Sequence, residues 1–225
     1  ATTGLPLRNY QYLSKTPVDK NNITERIDFS ESSRSQWFGR YSWTDELTVT
    51  PGLTVDGINL YTRASQWVVS NTRVFSSNKV NEARFGYNSL FNIIGQQLAG
   101  VEDVDAEIGV PLKITDPNSW GVPNIALSNN LSSPGNPTSS PFAINDKVFQ
   151  GIDNFSWVVG KHSLRMGGEY RYNQFPQVGN EFPRGQFFFN GSFTGNPNTQ
   201  SSGYSGADFL QGYMNNSIIA VALVS

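Results

Sequence analysis

Apolar and polar residues alternate almost without a break along KHSLRMGGEYRYNQF, residues 161–175. Leu164, Met166, Gly168, Tyr170 and Tyr172 fall on one side of an extended chain. Ser163, Arg165, Gly167, Glu169, Arg171 and Asn173 fall on the other. Successive side chains of a strand point to opposite faces, so the pattern predicts a strand with one oily and one charged face. TERIDFS (24–30) sets Glu25, Ile27 and Phe29 against Arg26 and Asp28, and QWFGRYSWT (36–44) sets Trp37, Gly39, Tyr41 and Trp43 against Phe38 and Arg40. With the short polar ESSRS between them, these two segments predict a hairpin.

The period continues downstream. QWVVSNTRVF (66–75) is a β-branched, aromatic run, and SSNK is a tight polar turn. VNEARFGYNSLFNII (80–94) then sets Ala83, Phe85, Tyr87 and Phe91 against Glu82, Arg84, Gly86 and Asn88. KVFQGIDNFSWVV (147–159) resumes the alternation and turns through Gly160-Lys161 into the first segment. Residues 45–65 hold TPGL and DGIN, both turn signals, and read as a longer loop with a small hairpin of its own. Residues 95–145 and 176–202 are rich in Pro, Gly and Asn and read as long loops, the second around a short aromatic strand, GQFFF (185–189). Phe187, Phe188 and Phe189 break the alternation, so at least one is expected to be buried. Residues 205–214 (SGADFLQGYM) predict one short helix with Ser205 as its cap, and a last strand is expected over about 216–225.

Strands therefore come in pairs, about 24–44, 66–94 and 147–175, joined by very short turns and separated by long loops. Short turns on one rim and long loops on the other is the build of outer-membrane barrels, whose oily faces meet lipid and whose polar faces meet a wet lumen. The expected fold is all-β: an antiparallel up-and-down meander of outer-membrane β-barrel type, with seven or eight strands and one short helix, over residues 1–225. A soluble sandwich would bury the oily faces instead.

Composition sharpens this picture. Only 37% of the 225 residues are hydrophobic, yet 13% are aromatic, with 15 Phe, 9 Tyr and 5 Trp. Few aliphatics beside many aromatics suit a barrel with aromatic girdles, and also a carbohydrate- or partner-binding β protein. Charged residues are 15% and the net charge is −2, so nucleic acid is not an expected partner. With no cysteine, disulfide scaffolds, thiolate metal sites and a Cys nucleophile are excluded. The opening ATTGLPLRNYQY lacks the basic and apolar regions of a secretory leader. The longest apolar run, residues 218–224, is too short for a spanning helix and long enough for much of a membrane strand.

Four phrases, in this order, carry a resemblance: RIDFSESSRSQWFGRYSWTDE, NTRVFSSNKVNEARFGYN, DNFSWVVGKHSLRMGGEYRYNQ and GQFFFNGSFTGN…SGADFLQGY. They resemble the barrel of Oar-like TonB-dependent outer-membrane receptors and transporters. The resemblance implies a Gram-negative outer membrane, periplasmic turns at ESSRS, SSNK and GK, extracellular long loops, and TonB coupling in the full-length protein. It also implies a barrel of about 22 strands, of which this chain would supply about a third. No plug, TonB-box-like segment or regulatory domain is recognisable, so a segment of a larger protein is one expectation. The other is a released fragment that self-associates through open strand edges into an extracellular β filament or tube.

The candidate site residues follow from the faces. Glu82, Arg84, Arg165, Glu169 and Arg171 are expected to face a lumen and pair with one another. Ala83, Phe85, Tyr87, Leu164, Met166, Tyr170 and Tyr172 are expected to face lipid or an interface. Glu102, Asp103, Asp105 and Glu107 in VEDVDAE form a weak calcium candidate, although their spacing is not that of an EF-hand. His162, the only histidine, sits beside a turn and reads as a turn or interfacial residue. Trp37, Trp43, Trp157, Tyr170 and Tyr172 suit sugar stacking less well than an interfacial girdle. MGGEY and NGSFTGN lack the strand–loop–helix setting of a phosphate loop. No constellation supports an enzyme and no cofactor is expected. The expected partner is outer-membrane lipid.

Overall fold

Segments with the two-residue period fold as long strands, and each tight polar turn folds as a hairpin. The computed structural model describes residues 10–52, 56–110, 112–199 and 202–220. In chain order, β1 is Val18–Ser32, β2 Ser35–Thr50, β3 Ile58–Ser76 and β4 Lys79–Gln96. Next come α1 (Val104–Glu107), β5 (Asn124–Leu127), β6 (Phe142–Val159) and β7 (His162–Gln174). Then follow β8 (Gln177–Gly179), β9 (Gln186–Phe189), α2 (Ser205–Gln211) and β10 (Asn216–Ile218). The main sheet runs β1-β2-β3-β4-β6-β7, and β8 continues the pairing along β6. Every neighbouring pair in it is antiparallel. The expected antiparallel meander is thus the observed architecture.

Register fixes the two faces of the sheet. Glu25, Tyr41, Trp67, Tyr87, Phe149 and Tyr172 are consecutive cross-strand partners and share one face. So do Ile27, Gly39, Val69, Phe85, Gly151 and Tyr170 in the next row. The rings form a ladder with centroid separations of 5.7 Å (Trp67–Tyr87), 4.8 Å (Tyr87–Phe149) and 6.3 Å (Phe149–Tyr172). No second layer covers this face among the described residues: Ile27 is 72% and Tyr170 71% exposed. The opposite face carries Arg26, Arg40, Val68, Gly86, Gln150 and Arg171 in one row.

Three hairpins turn on one rim, at 33–34, 77–78 and 160–161. In the last, Gly160 takes the positive φ (57°) that a two-residue hairpin favours at its first central position. The other rim carries the described residues of the connections 51–57 and 97–141 and the described residues after β7. Along the described residues β1 and β7 are edge strands.

The loop expected over 45–65 is not there. β2 runs on to Thr50 and β3 starts at Ile58, with partners Glu46↔Thr62 and Thr48↔Leu60. The turn signals Pro51-Gly52 and Asp56-Gly57 bracket one short connection, and Thr, Val, Ile and Leu on either side hold an extended chain. The first long loop contributes an unexpected strand, β5, and the aromatic strand expected in the second, β9, joins it in a second sheet of order β10-β9-β5. There β5 pairs parallel with β9, so GQFFF lies outside the meander. A second short helix, α1, also appears. Ser205 is not the cap of α2: Tyr204 is, without a side-chain bond. Ser205 is buried instead, its hydroxyl donating to Ser128 O at 2.9 Å and its N–H to Asn129 Oδ1 at 2.9 Å. Phe189 is the buried member of the Phe triplet and meets Phe209 edge-on at 5.3 Å. Of the expected last strand, 216–218 is paired with β9, and 221–225 lie outside the described residues.

Phe149 sits between two ring partners, and an aromatic pair contributes about 0.5–1.5 kcal/mol beyond burial. F149A is expected to lower the urea-unfolding free energy in micelles by roughly 1–3 kcal/mol, read by tryptophan fluorescence. An unchanged midpoint would show that the ladder does not hold the strands.

Candidate functional site

The two long connections fold onto each other around polar side chains. Arg184, 2% exposed, lies between β8 and β9. Its Nη1 donates to Ser119 O at 3.2 Å and Ser140 O at 2.7 Å, and its Nη2 donates to Pro137 O at 2.8 Å. One guanidinium from the second loop thus satisfies three carbonyls of the first. Gln96, the last residue of β4, joins this unit to the main sheet. Its Nε2 donates to Asn118 O at 3.2 Å and to Trp120 O, and its Oε1 accepts from Ser140 Oγ at 2.9 Å. Asn136 accepts from Val122 N at 2.7 Å. Close backbone approach requires Gly135 (φ 93°), where a Cβ would lie 2.0 Å from Pro123 O. On the far side, Asp208 of α2 accepts from Thr194 N at 2.9 Å and Phe193 N at 3.4 Å. Burial works against its charged form, but the donors of Thr194, Phe193 and Gly191 prevail and hold the carboxyl below the usual range.

The acidic cluster divides among different tasks. Asp103 caps α1 by accepting from Ala106 N at 3.2 Å. Glu107 shares a hydrogen bond with Glu102, which pushes its carboxyl up. Asp105 turns inward and is 1% exposed, and neither of its oxygens has a hydrogen-bond partner among the described residues. Burial pushes its carboxyl up to about 6, with help from the charge of Asp103 and against that of Arg184. Burial lowers Arg184 to about 10, against the pull of Asp105 and Asp56, so the guanidinium stays charged near neutral pH. The four carboxylates do not converge, and no group of three or more His, Cys, Asp or Glu among the described residues could hold a metal ion.

The remaining candidates lie on the main sheet. Glu82, Arg84, Arg165, Glu169 and Arg171 all occupy the polar face. Arg84 pairs with Glu82 at 2.5 Å and Arg171 with Glu169 at 3.2 Å, each across two residues of one strand. Glu169 also accepts from Gln150 Nε2 at 2.8 Å. Ala83, Phe85, Tyr87, Leu164, Met166, Tyr170 and Tyr172 occupy the aromatic face, as do Trp37, Trp43 and Trp157. His162 opens β7 beside its turn and is exposed. Sequence reasoning did not find Arg184, Gln96 or Asn136. A faint signal existed: Arg184 and Lys113 are the only cations in the two long loops.

A family model described as "Outer membrane beta barrel domain" matches residues 1–224. No curated protein and no solved structure matches the chain.

Removing the Arg184 fork leaves three carbonyls without their donor, at about 1–3 kcal/mol for each one buried. R184M is expected to open the loop unit to protease between β4 and β6 while the hairpins stay resistant; an unchanged digestion pattern would contradict this. Asp105 sets a pH dependence. Its carboxyl lies near 6 in the fold against an ordinary 3.8, so the folded unit holds the proton more tightly than the unfolded chain. Stability should rise as pH falls through about 6 and level off below about 4, by at most about 3 kcal/mol. Amides of α1, corrected for intrinsic rates, should exchange more slowly at about pH 5 than at about pH 7.5, and D105N should remove the difference. Equal protection of the wild type at both pH values would refute it.

Proposed function

The chain belongs to the outer membrane β-barrel domain family and hence to the outer membrane, and from that premise we propose that it forms part of the wall of an Oar-like, TonB-dependent receptor. The carrying observation is the asymmetry of the two rims together with the segregation of the two faces. Two-residue turns occupy one rim and the polar-cored loop unit the other. In this reading the turns are periplasmic and the loop unit meets ligand outside. The aromatic face meets lipid and the polar face lines a hydrated lumen. The distinctive phrases VNEARFGYN, GKHSLRMGGEYRYN and SGADFLQGY support the Oar-like assignment. The role is one of recognition and transport, with no catalytic residue assigned. The family gives no support to the extracellular filament.

Dimensions agree with this reading. On β7 the oily residues run from Leu164 to Tyr172, about the nine to eleven residues that a tilted strand needs to cross a bilayer. β3 has 19 residues, roughly 60 Å of strand, against a hydrocarbon core of about 30 Å. The loop ends of β2, β3, β4 and β6 therefore stand outside the membrane and carry the loop unit away from it. Edges β1 and β7 are completed by further strands of the barrel wall, since an open edge is a site of mispairing. TonB coupling belongs to the receptor as a whole.

The chain has no cysteine, so single cysteines report topology without background. S132C in the first long loop is expected to react with a membrane-impermeant maleimide on intact cells. N78C and K161C in the turns should react only after the outer membrane is permeabilised. The reverse pattern would overturn the orientation, and equal labelling of all three would overturn the membrane reading.

A further inference from the structure

One part of the polar face is built around a charge that no carboxylate neutralises. Arg26 on β1 and Arg40 on β2 are direct cross-strand partners, and like charges so placed repel. Arg84 approaches from β4. Together with Gln66 of β3 and Gln150 of β6, these three arginines line a concavity of about 270 Å³. Gly86 lies in its floor, where a Cβ would meet only Trp67 O at 3.8 Å, so the absent side chain leaves open space on the polar face.

The arginines are not equivalent. Arg26 is tied to Asp28 at 2.7 Å and lies 4.7 Å from the Phe38 ring centre. Arg84 is tied to Glu82. Arg40 has no ion pair among the described residues, and its one side-chain hydrogen bond among them goes to Gln66 Oε1 at 3.5 Å, the outer limit of such a bond. Three guanidinium groups against two carboxylates leave one positive charge, held where two cationic neighbours oppose it. Most of the Arg40 donor fork is uncommitted. A guanidinium fork matches the paired oxygens of phosphate or carboxylate with two parallel charge-assisted hydrogen bonds.

We propose that this concavity is a binding subsite for a small oxyanion, held by Arg40 and flanked by Arg26 and Arg84. The subsite rests on the reading that the polar face lines water. It goes beyond that reading by placing a ligand contact on the wall itself, among rigid strands, rather than on the loops. Phosphate and carboxylate share the required chemistry, and the concavity has room for either.

The test is calorimetric titration of the full chain in dodecyl maltoside micelles at low salt, with inorganic phosphate in one arm and acetate in the other. Saturable binding of either anion is expected, and the tighter arm names the source. R40Q should weaken it about tenfold, the loss of one good charged contact. R84Q should weaken it less, and R165Q, the same charge change outside the concavity, should leave it within about twofold. Equal weakening by R40Q and R165Q would mean that only the overall charge of the face attracts anions and would overturn the subsite. Quenching of the tryptophans by brominated lipid separates this inference from the reading beneath it. Quenching without saturable anion binding overturns the subsite alone. Neither quenching nor binding overturns both.

Discussion

A sheet whose oily face no protein covers needs another apolar phase. In the main sheet the rows through Tyr41, Trp67, Tyr87, Phe149 and Tyr172 and through Ile27, Val69, Phe85 and Tyr170 form one continuous apolar surface. Water would charge a high free energy for so large a patch. Among the described residues the loop unit does not fold back over it, and its own buried set is mostly polar. In outer-membrane barrels, the family to which the chain belongs, lipid tails take the place of a second layer. The long strands and the charged opposite face accord with that build.

The polar face shows the complementary constraint. Side chains that alternate with the aromatic ones point to the other side, where the sequence places most of the charges of the strand centres. Ion pairs spaced two residues apart on one strand, Arg26 with Asp28, Arg84 with Glu82 and Arg171 with Glu169, neutralise most of it locally. Arg40 and Arg165 fall outside this scheme among the described residues. An unpaired cation is cheap to keep when water reaches it, and both side chains are exposed.

The loop unit follows different rules. Its core has few apolar side chains, among them Val104, Val122 and Phe189. Buried polar groups carry the rest of the specification: Arg184 clamps three carbonyls, Gln96 reaches from the end of β4, and Asp208 gathers the N–H groups ahead of α2. Such a network is rigid while each member is satisfied and vulnerable where one is not. Asp105 has no donors among the described residues, so protonation bears directly on this unit.

How much of this was legible in the sequence depends on the range of the interaction. The hairpins, their turns, the two faces of each strand and the direction of every candidate on β4 and β7 could be read, because a two-residue period is local and turn chemistry is local. The same locality misled at residues 45–65, where Pro51-Gly52 and Asp56-Gly57 looked like separate turns and the pairing of Thr48 with Leu60 was invisible. Ser205 looked like a helix cap until Ser128 and Asn129, far away in the chain, claimed its hydroxyl and its N–H. The parallel pairing of β5 with β9, the clamp of Arg184 and the inward turn of Asp105 join segments tens of residues apart. No periodicity encodes such contacts. The sequence by itself determined that the chain makes amphipathic hairpins; only the tertiary structure decided that its two long loops make one polar-cored body, because long-range hydrogen bonds leave no pattern in neighbouring residues.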